Sequence, residues 1–577
     1  MYLRKCRKVV AGAEYVYWEL VQSRRTERGP RQRVVAYLGD MGEAQRLGIA
    51  VAAEGGDGSH QESLLSEGVE PEWVEVDAGR LRVERVLDYG AYWLGLELAH
   101  KLGLPDFLKG VVGTGREEIP WSLMALVLVV MRLVEPSSEL RIAECLFERS
   151  ALADLLGIPP DKVNDDRLYR ALDALRPHKA ALEKHLAQRL GRLFQLEYDL
   201  LLYDITSTYF EGESAANGEA RFGYSRDKRS DCKQVLIGLV VSRSGMPLGY
   251  EQFAGNRADA STVKEMIEKV EAQYGKADRI WVMDRGMVSA KTLAFLRSDG
   301  RRYIVGTPRG QLRQFREELV RQEGWQAITE GLSAKLITSP EGDESFLLCR
   351  SVARGAKEKG MHERFAARIE AGLTKLAAGC CGEKKQRPAV VERRVGALLS
   401  RNSRARGLFR VKVGTRDDGG ATVEWEKLAE AANWTALKEG CYLLRTNLKG
   451  LEVGELWRTY IQLTEAEAAF RVQKSDLGIR PIWHQKEERV ASHILVCFLA
   501  YVLWKTLAGM CKAAGLGDEP RQVIDELGGI KMVDVVVPTR SGVELRRRCI
   551  SRPTKAQAIL LDRLRLQPPT TMAVQKM

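Results

Sequence analysis

Hydrophobic and polar positions change period several times along this chain, and each change marks a different kind of element. EYVYWELVQ (14–22) alternates apolar and polar residues, and RVVAYLG (33–39) repeats the pattern after RTERGPRQ, so residues 1–50 are predicted to form a small β hairpin unit. The stretch AEGGDGSHQESLLSEG (53–68) is rich in Gly, Ser and Glu and reads as a linker. From 83 to 198 the period lengthens to that of helices. NDDRLYRALDALRP shows it best: Leu168, Ala171, Leu172 and Leu175 recur at i, i+3, i+4 and i+7, Asn164 or Asp165 can cap the start, and Pro177 ends it. Its wet face carries Arg167, Arg170 and Arg176, which suits either DNA contact or a helical scaffold with a solvated side.

Over 199–309 the pattern shortens again. LLLYDITSTYF, KQVLIGLVVS and MPLGYEQFA predict three strands in hairpin order. A helix at STVKEMIEKVEAQYG, a strand at DRIWVMD, a helix at SAKTLAFLRS and a strand at RRYIVG follow. Such an order predicts an α/β fold with a mixed sheet of ribonuclease H type, in which Asp204 lies inside the first strand and Asp284 ends the fourth. The long interval 310–450 contains strand-like SFLLCRSV, GLFRVKV, ATVEW and GCYLLRTN with a basic helical stretch near 356–404. It is read as an inserted, mainly β domain with a helical excursion, because structureless loops of that length are rare. Residues 451–515 return to the core with Glu467 and an apolar helix, and 516–577 form a C-terminal β/α segment.

Composition narrows the class. At 577 residues the chain exceeds one compact core, and its net charge of +12 favours nucleic acid or an anionic surface as partner. Its ten cysteines are scattered without a CxxC, so no disulfide framework or zinc site is indicated. The most apolar stretches, WSLMALVLVVMRLV and VASHILVCFLAYVLW, are shorter than the ~20 residues of a membrane span. The basic start lacks an export core. A cytoplasmic protein with no membrane partner is expected.

The candidate chemistry rests on three acids. Asp204 and Asp284 sit in or at the end of apolar runs, where a carboxylate is costly without a compensating charge. With Glu467 they could hold two Mg²⁺ or Mn²⁺ ions for phosphodiester cleavage or strand transfer, which points to a polynucleotidyl transferase. On one continuous helix Tyr460, Glu467 and Lys474 would share a face, with Arg471 beside them, a surface suited to a strand end. Further DNA-contact candidates are Tyr224, Arg226 and Lys228 in RFGYSRDKRSDCK, Arg285 after the second acid, and His484 in RPIWHQKEER. Arg24, Arg25, Arg28, Arg31 and Arg33 at the hairpin tip are either phosphate contacts or a solvated turn. Thr206, Ser207 and Thr208 are phosphate contacts or strand residues, and Asp259 is a helix cap or a weaker metal ligand.

Taken together, these segments resemble the DDE transposases of bacterial insertion sequences, in the insertion-sequence-4 superfamily and most closely its insertion-sequence-1634 branch. The family signature of Tyr, two residues, Arg, three residues, Glu, six residues, Lys falls on Tyr460, Leu463, Glu467 and Lys474. Leu463 departs from it, and Arg471 is the cation offered in its place. The resemblance implies a ribonuclease H-like core interrupted before the Glu and metal-dependent nicking at element ends. It also implies strand transfer into target DNA, a homodimer in a synaptic complex holding terminal repeats, and a place at the bacterial nucleoid. A nuclease on the same core that cuts without joining, a non-catalytic DNA-binding derivative, and a basic RNA-processing ribonuclease are the competing readings.

Overall fold

The computed structural model describes residues 2–10, 13–26, 29–39, 75–112, 115, 117–339, 342–382, 385–568 and 571–576. The chain divides into two compact units, Met1–Ala277 with Thr464–Met577, and Asp278–Leu463.

The first unit opens with an antiparallel sheet of β1 (Tyr2–Val10), β2 (Ala13–Thr26) and β3 (Gly29–Gly39). Pairing continues through the expected turn: Arg24 faces Arg31, and Arg25 faces Pro30. Arg28, the side chains of the other tip arginines, and the linker 53–68 lie outside the described residues. Residues 83–88, expected to open the helical region, instead belong to β4 (Arg82–Asp88). Helices begin with α1 (Gly90–Lys101), α2 (Leu104–Val111) and α3 (Trp121–Val134), and continue with α4 (Asp165–Leu175) and α5 (Lys179–Phe194). The cap of α4 is Asn164, whose side chain accepts the Arg167 N–H at 2.9 Å, and Leu168, Ala171, Leu172 and Leu175 are its buried stripe. β5 (Leu200–Tyr209), β6 (Gln234–Ser242) and β7 (Pro247–Ala254) form an antiparallel meander followed by α6 (Val263–Tyr274). Beneath β7, the buried Glu183 of α5 meets Lys179 at 3.2 Å and Lys269 of α6 at 3.1 Å, and accepts the Tyr250 N–H.

The second unit holds β8 (Ile280–Met283), α7 (Ala290–Ser298), β9 (Arg302–Gly306), β10 (Gln326–Thr329), β11 (Leu332–Thr338) and β12 (Ser345–Ser351). Then come α8 (Val352–Cys380), α9 (Pro388–Arg401), β13 (Phe409–Thr415), β14 (Ala421–Lys427), α10 (Ala429–Lys438), β15 (Cys441–Thr446) and α11 (Val453–Ile461). Its strands run in the order β10-β11-β12-β15-β9-β8, with β8 and β9 parallel and the other neighbours antiparallel. The interval 310–450 therefore does not form one β body. β12 and β15 extend the sheet that contains β9, while the β13–β14 hairpin packs with α8 and α9 around a separate core that includes Ile369, Leu373, Val391 and Phe409. Buried Glu344 joins α7 to this sheet by accepting from Arg297, Arg445 and Tyr303.

The chain returns to the first unit with α12 (Thr464–Ser475), α13 (Glu487–Ala513), α14 (Pro520–Leu527), β16 (Lys531–Pro538), β17 (Glu544–Ile550), α15 (Lys555–Leu564) and β18 (Thr571–Lys576). β16 pairs with β4, setting buried Met532 opposite buried Leu87. That explains why β4 escaped a local reading: the partner that fixes its state lies far along the chain. α13 is long and apolar enough to cross a membrane, but 83% of its most apolar window is buried inside the protein, against α3, α4, α12 and β7.

Candidate functional site

β5 reads LLLYDITSTY and is buried on both faces, so Asp204 is half-buried among apolar neighbours, opposite Leu239 of β6. Its Oδ1 accepts the Ile205 N–H at 2.8 Å. The hydroxyls after it serve the scaffold: Ser207 Oγ accepts the Arg226 N–H at 3.1 Å, and Thr208 Oγ1 donates to the Ile479 carbonyl at 3.3 Å. Glu467 stands exposed in the first turn of α12, and α12 packs on β5 and β6. Fold and packing thus bring the helix of the third acid onto the strand of the first. Its neighbour Glu465 turns elsewhere, 3.6 Å from Lys505 of α13.

In the second unit, Asp284 follows β8 directly and is exposed. The Tyr460 hydroxyl of α11 donates to its Oδ1 at 3.4 Å. Burial, and then the Asp284 charge, raise the Tyr460 pKa, so this phenol stays protonated as a donor. Gly306, at the end of β9, permits the approach. A Cβ there would stand 2.7 Å from the Tyr460 hydroxyl and 2.9 Å from the Arg285 nitrogen. Sequence reading passed over Gly306, although a glycine closing an apolar strand is a recognisable sign of close backbone approach.

The single helical face expected for Tyr460, Glu467 and Lys474 does not exist. α11 stops at Ile461, the Leu463 N–H bonds back to the Tyr460 carbonyl, and a new helix starts at Thr464. Buried Leu463 anchors this break, and a periodicity of seven has no meaning across it. Arg471 is exposed on α12 with Glu467. Lys474 instead turns inward, its Nζ 2.9 Å from Asp227, an acid that also binds Arg480. Burial lowers the Lys474 pKa, while Asp227 pulls the other way.

The basic loop before β6 is therefore divided. Arg226 is tied to Asp259 at 2.6 Å, which gives that acid a structural partner, and Asp227 is the buried anchor. Tyr224 and Lys228 are exposed. Arg285 is exposed beside Asp284. His484 is largely enclosed, 3.5 Å from the Glu139 carboxylate and edge-on to Tyr169. Glu139, His484 and His493 offer ligand atoms within 4.8 Å of one another, but Arg132 lies 3.5 Å from His493 Nδ1 and supplies the positive charge.

The family model of a transposase DDE domain matches residues 195–503, a span that contains all three acids. The chain belongs to the DDE transposase family. The model of the IS1634 family transposase N-terminal domain matches residues 3–61, the β1–β3 unit and the segment after it, which sets this transposase in that branch. No curated protein matches the chain. Among solved structures, a piggyBac transposase synaptic complex with hairpin DNA is similar over 79% of this chain and 82% of that one, at 9% identity and a TM-score of 0.36.

Proposed function

We propose that this transposase cleaves the ends of its own insertion sequence and joins them to target DNA, using Asp204, Asp284 and Glu467 as one divalent-metal site. The observation that carries the reading is the match over residues 195–503, a span within which the three acids singled out from the sequence fall. The donor set suits Mg²⁺ or Mn²⁺: all three ligands are carboxylates, two are exposed, and the third is half-buried on a strand buried on both faces. Two bound ions would activate water or a 3′-hydroxyl and stabilise the leaving oxygen. The chain's part is to orient the carboxylates. β5 fixes the backbone of Asp204, Tyr460 donates to Asp284, and α12 presents Glu467 with Arg471 to a phosphate. Terminal repeats and target duplex would be the DNA partners, in a synaptic homodimer at the bacterial nucleoid in the cytoplasm.

The test is purified protein with Mg²⁺ and labelled duplex carrying the element's ends, comparing wild type with Glu467→Gln. Cleavage followed by joining is expected for wild type. The variant should lose turnover by roughly a thousandfold or more while keeping DNA affinity, because phosphoryl transfer depends on positioning and charge neutralisation. Cleavage without joining would favour a nuclease, and full activity in the variant would remove Glu467 from the site.

A further inference from the structure

Apart from the acids, the second unit contains a pocket of about 710 Å³ in which six of the eleven lining residues are Arg or Lys. Arg285, Arg309, Arg313, Arg354, Arg404 and Lys438 face it, and among the described residues Glu358 is the one carboxylate in the wall. The elements explain the convergence. Arg354 and Glu358 lie one turn apart on α8, Arg309 and Arg313 share a short 3₁₀ segment after β9, and Lys438 closes α10. Glu358 is already engaged: it binds Arg309, accepts from Arg354 at 3.0 Å, and takes the Gly440 N–H at 3.1 Å. One acid therefore offsets part of six positive charges. His362 is turned to Glu439 at 2.7 Å, and Trp434 adds a flat apolar wall beside Lys438. Burial and then the neighbouring Arg309 lower the Lys438 pKa, with Glu358 and Glu439 pulling the other way.

A wall of this kind needs anions, and several of them. Its size is that of small-ligand pockets and far below the bulk of a duplex. A cationic groove with an aromatic wall is the chemistry that binds single-stranded nucleic acid, with phosphates on the cations and a base on the ring. Arg285, part of this lining, directly follows Asp284 in the chain. We infer that this pocket binds the sugar-phosphate backbone of a single DNA strand running past Asp284. The choice of DNA among polyanions rests on the proposed function, whereas the need for a chain of phosphates rests on the pocket alone.

Full-length protein in EDTA, where catalysis does not enter, is titrated with a fluorescent single-stranded oligonucleotide and with a blunt duplex over a range of KCl. Arg313→Glu with Lys438→Glu should weaken strand binding roughly tenfold or more and reduce the slope of log affinity against log salt by about 1.4, two contacts at ~0.7 each. Lys412→Glu, an exposed charge on β13 outside the pocket, controls for net charge. If the double variant is poorly folded by circular dichroism, Arg313→Gln with Lys438→Gln is used, with about half the effect expected. A loss no larger than that of the Lys412 control overturns the inference, as does an equal loss for strand and duplex. A wild type that binds strand through these residues but never cleaves element ends would sink the transposition reading and leave this one standing.

Discussion

Two clusters of basic side chains, one in each unit, are alike in composition and opposite in charge balance. In the first unit Lys474 and Arg480 share Asp227, an acid almost closed off from solvent, so their positive charge is neutralised within the fold. In the second, six cations line a pocket with Glu358 alone among them. Burial lowers the pKa of a lysine in each; after burial the strongest influence on Lys474 is the acid Asp227, pulling it back over Arg480 and Arg226, whereas on Lys438 it is Arg309, pushing further down against Glu358 and Glu439. Lysines and arginines counted along a sequence therefore say little about free positive charge. The buried acid decides which cluster is a structural tie and which is open to an anion.

The sharpest way to break that contrast is Asp227→Asn. Removing the acid leaves two partly enclosed cations without a counter-charge, and a buried pair broken from one side typically costs about 3 kcal/mol. The thermal midpoint should fall by several degrees, and adding Lys474→Met should recover much of the loss, because it withdraws the more enclosed stranded charge. If Lys474 were chiefly a DNA contact, the midpoint would stay and DNA affinity would rise instead.

A third cluster adds a titrating member and a smaller expected effect. His493 of α13 is buried against Arg132 of α3, with His484, Glu139, Cys497 and the Ile479 carbonyl around it. Burial first, then Arg132 and His484, push its pKa from 6.5 down to about 3. The Glu139 pKa falls to about 2, burial opposing the shift and His484, His493 and Arg132 outweighing it. Unfolded His493 takes a proton as pH drops below 6.5, while folded His493 resists down to about 3, so stability is lost through that window as pH falls. Glu139 adds its own loss below 4.5. Urea midpoints should decline between about pH 7 and about pH 5, and His493→Gln should flatten that decline. An equal slope in wild type and variant would remove His493 as the cause.

The same distinction separates what the sequence revealed from what it hid. Strands with their own signature, such as LLLYDITSTY and QVLIGLVVS, were legible because their pattern depends on burial within one sheet. The Asn164 cap was legible because a cap is local chemistry. β4 was not, since pairing with β16 determines its state. The break at Gln462 and Leu463 was hidden by good helix formers on both sides, and with it went the shared face of Tyr460 and Lys474. Lys474 itself shows the limit most clearly. Its partner Asp227 sits far away in a loop, and spacing carries no information about that acid. The pocket escaped for the same reason: its six cations come from five separate stretches of chain.

The smallest expected effect tests a cation that is neither buried nor crowded. Arg170 of α4 pairs with Asp166 at 2.9 Å, and both side chains are about two-thirds exposed, at 63% and 64%. An exposed i, i+4 pair is screened and contributes at most about 0.5 kcal/mol, so Arg170→Ala should barely move the thermal midpoint. Arg167, one turn earlier, is held by the Lys162 carbonyl at 2.7 Å and by Glu118 at 3.2 Å, and its loss should cost more. Duplex binding then separates the two readings of this face. If α4 touches the phosphate backbone, Arg170→Ala lowers the salt slope by about 0.9 with stability unchanged. If the slope does not move, the arginines of α4 form a solvated scaffold face, and the unpaired charge available to DNA lies elsewhere in the chain.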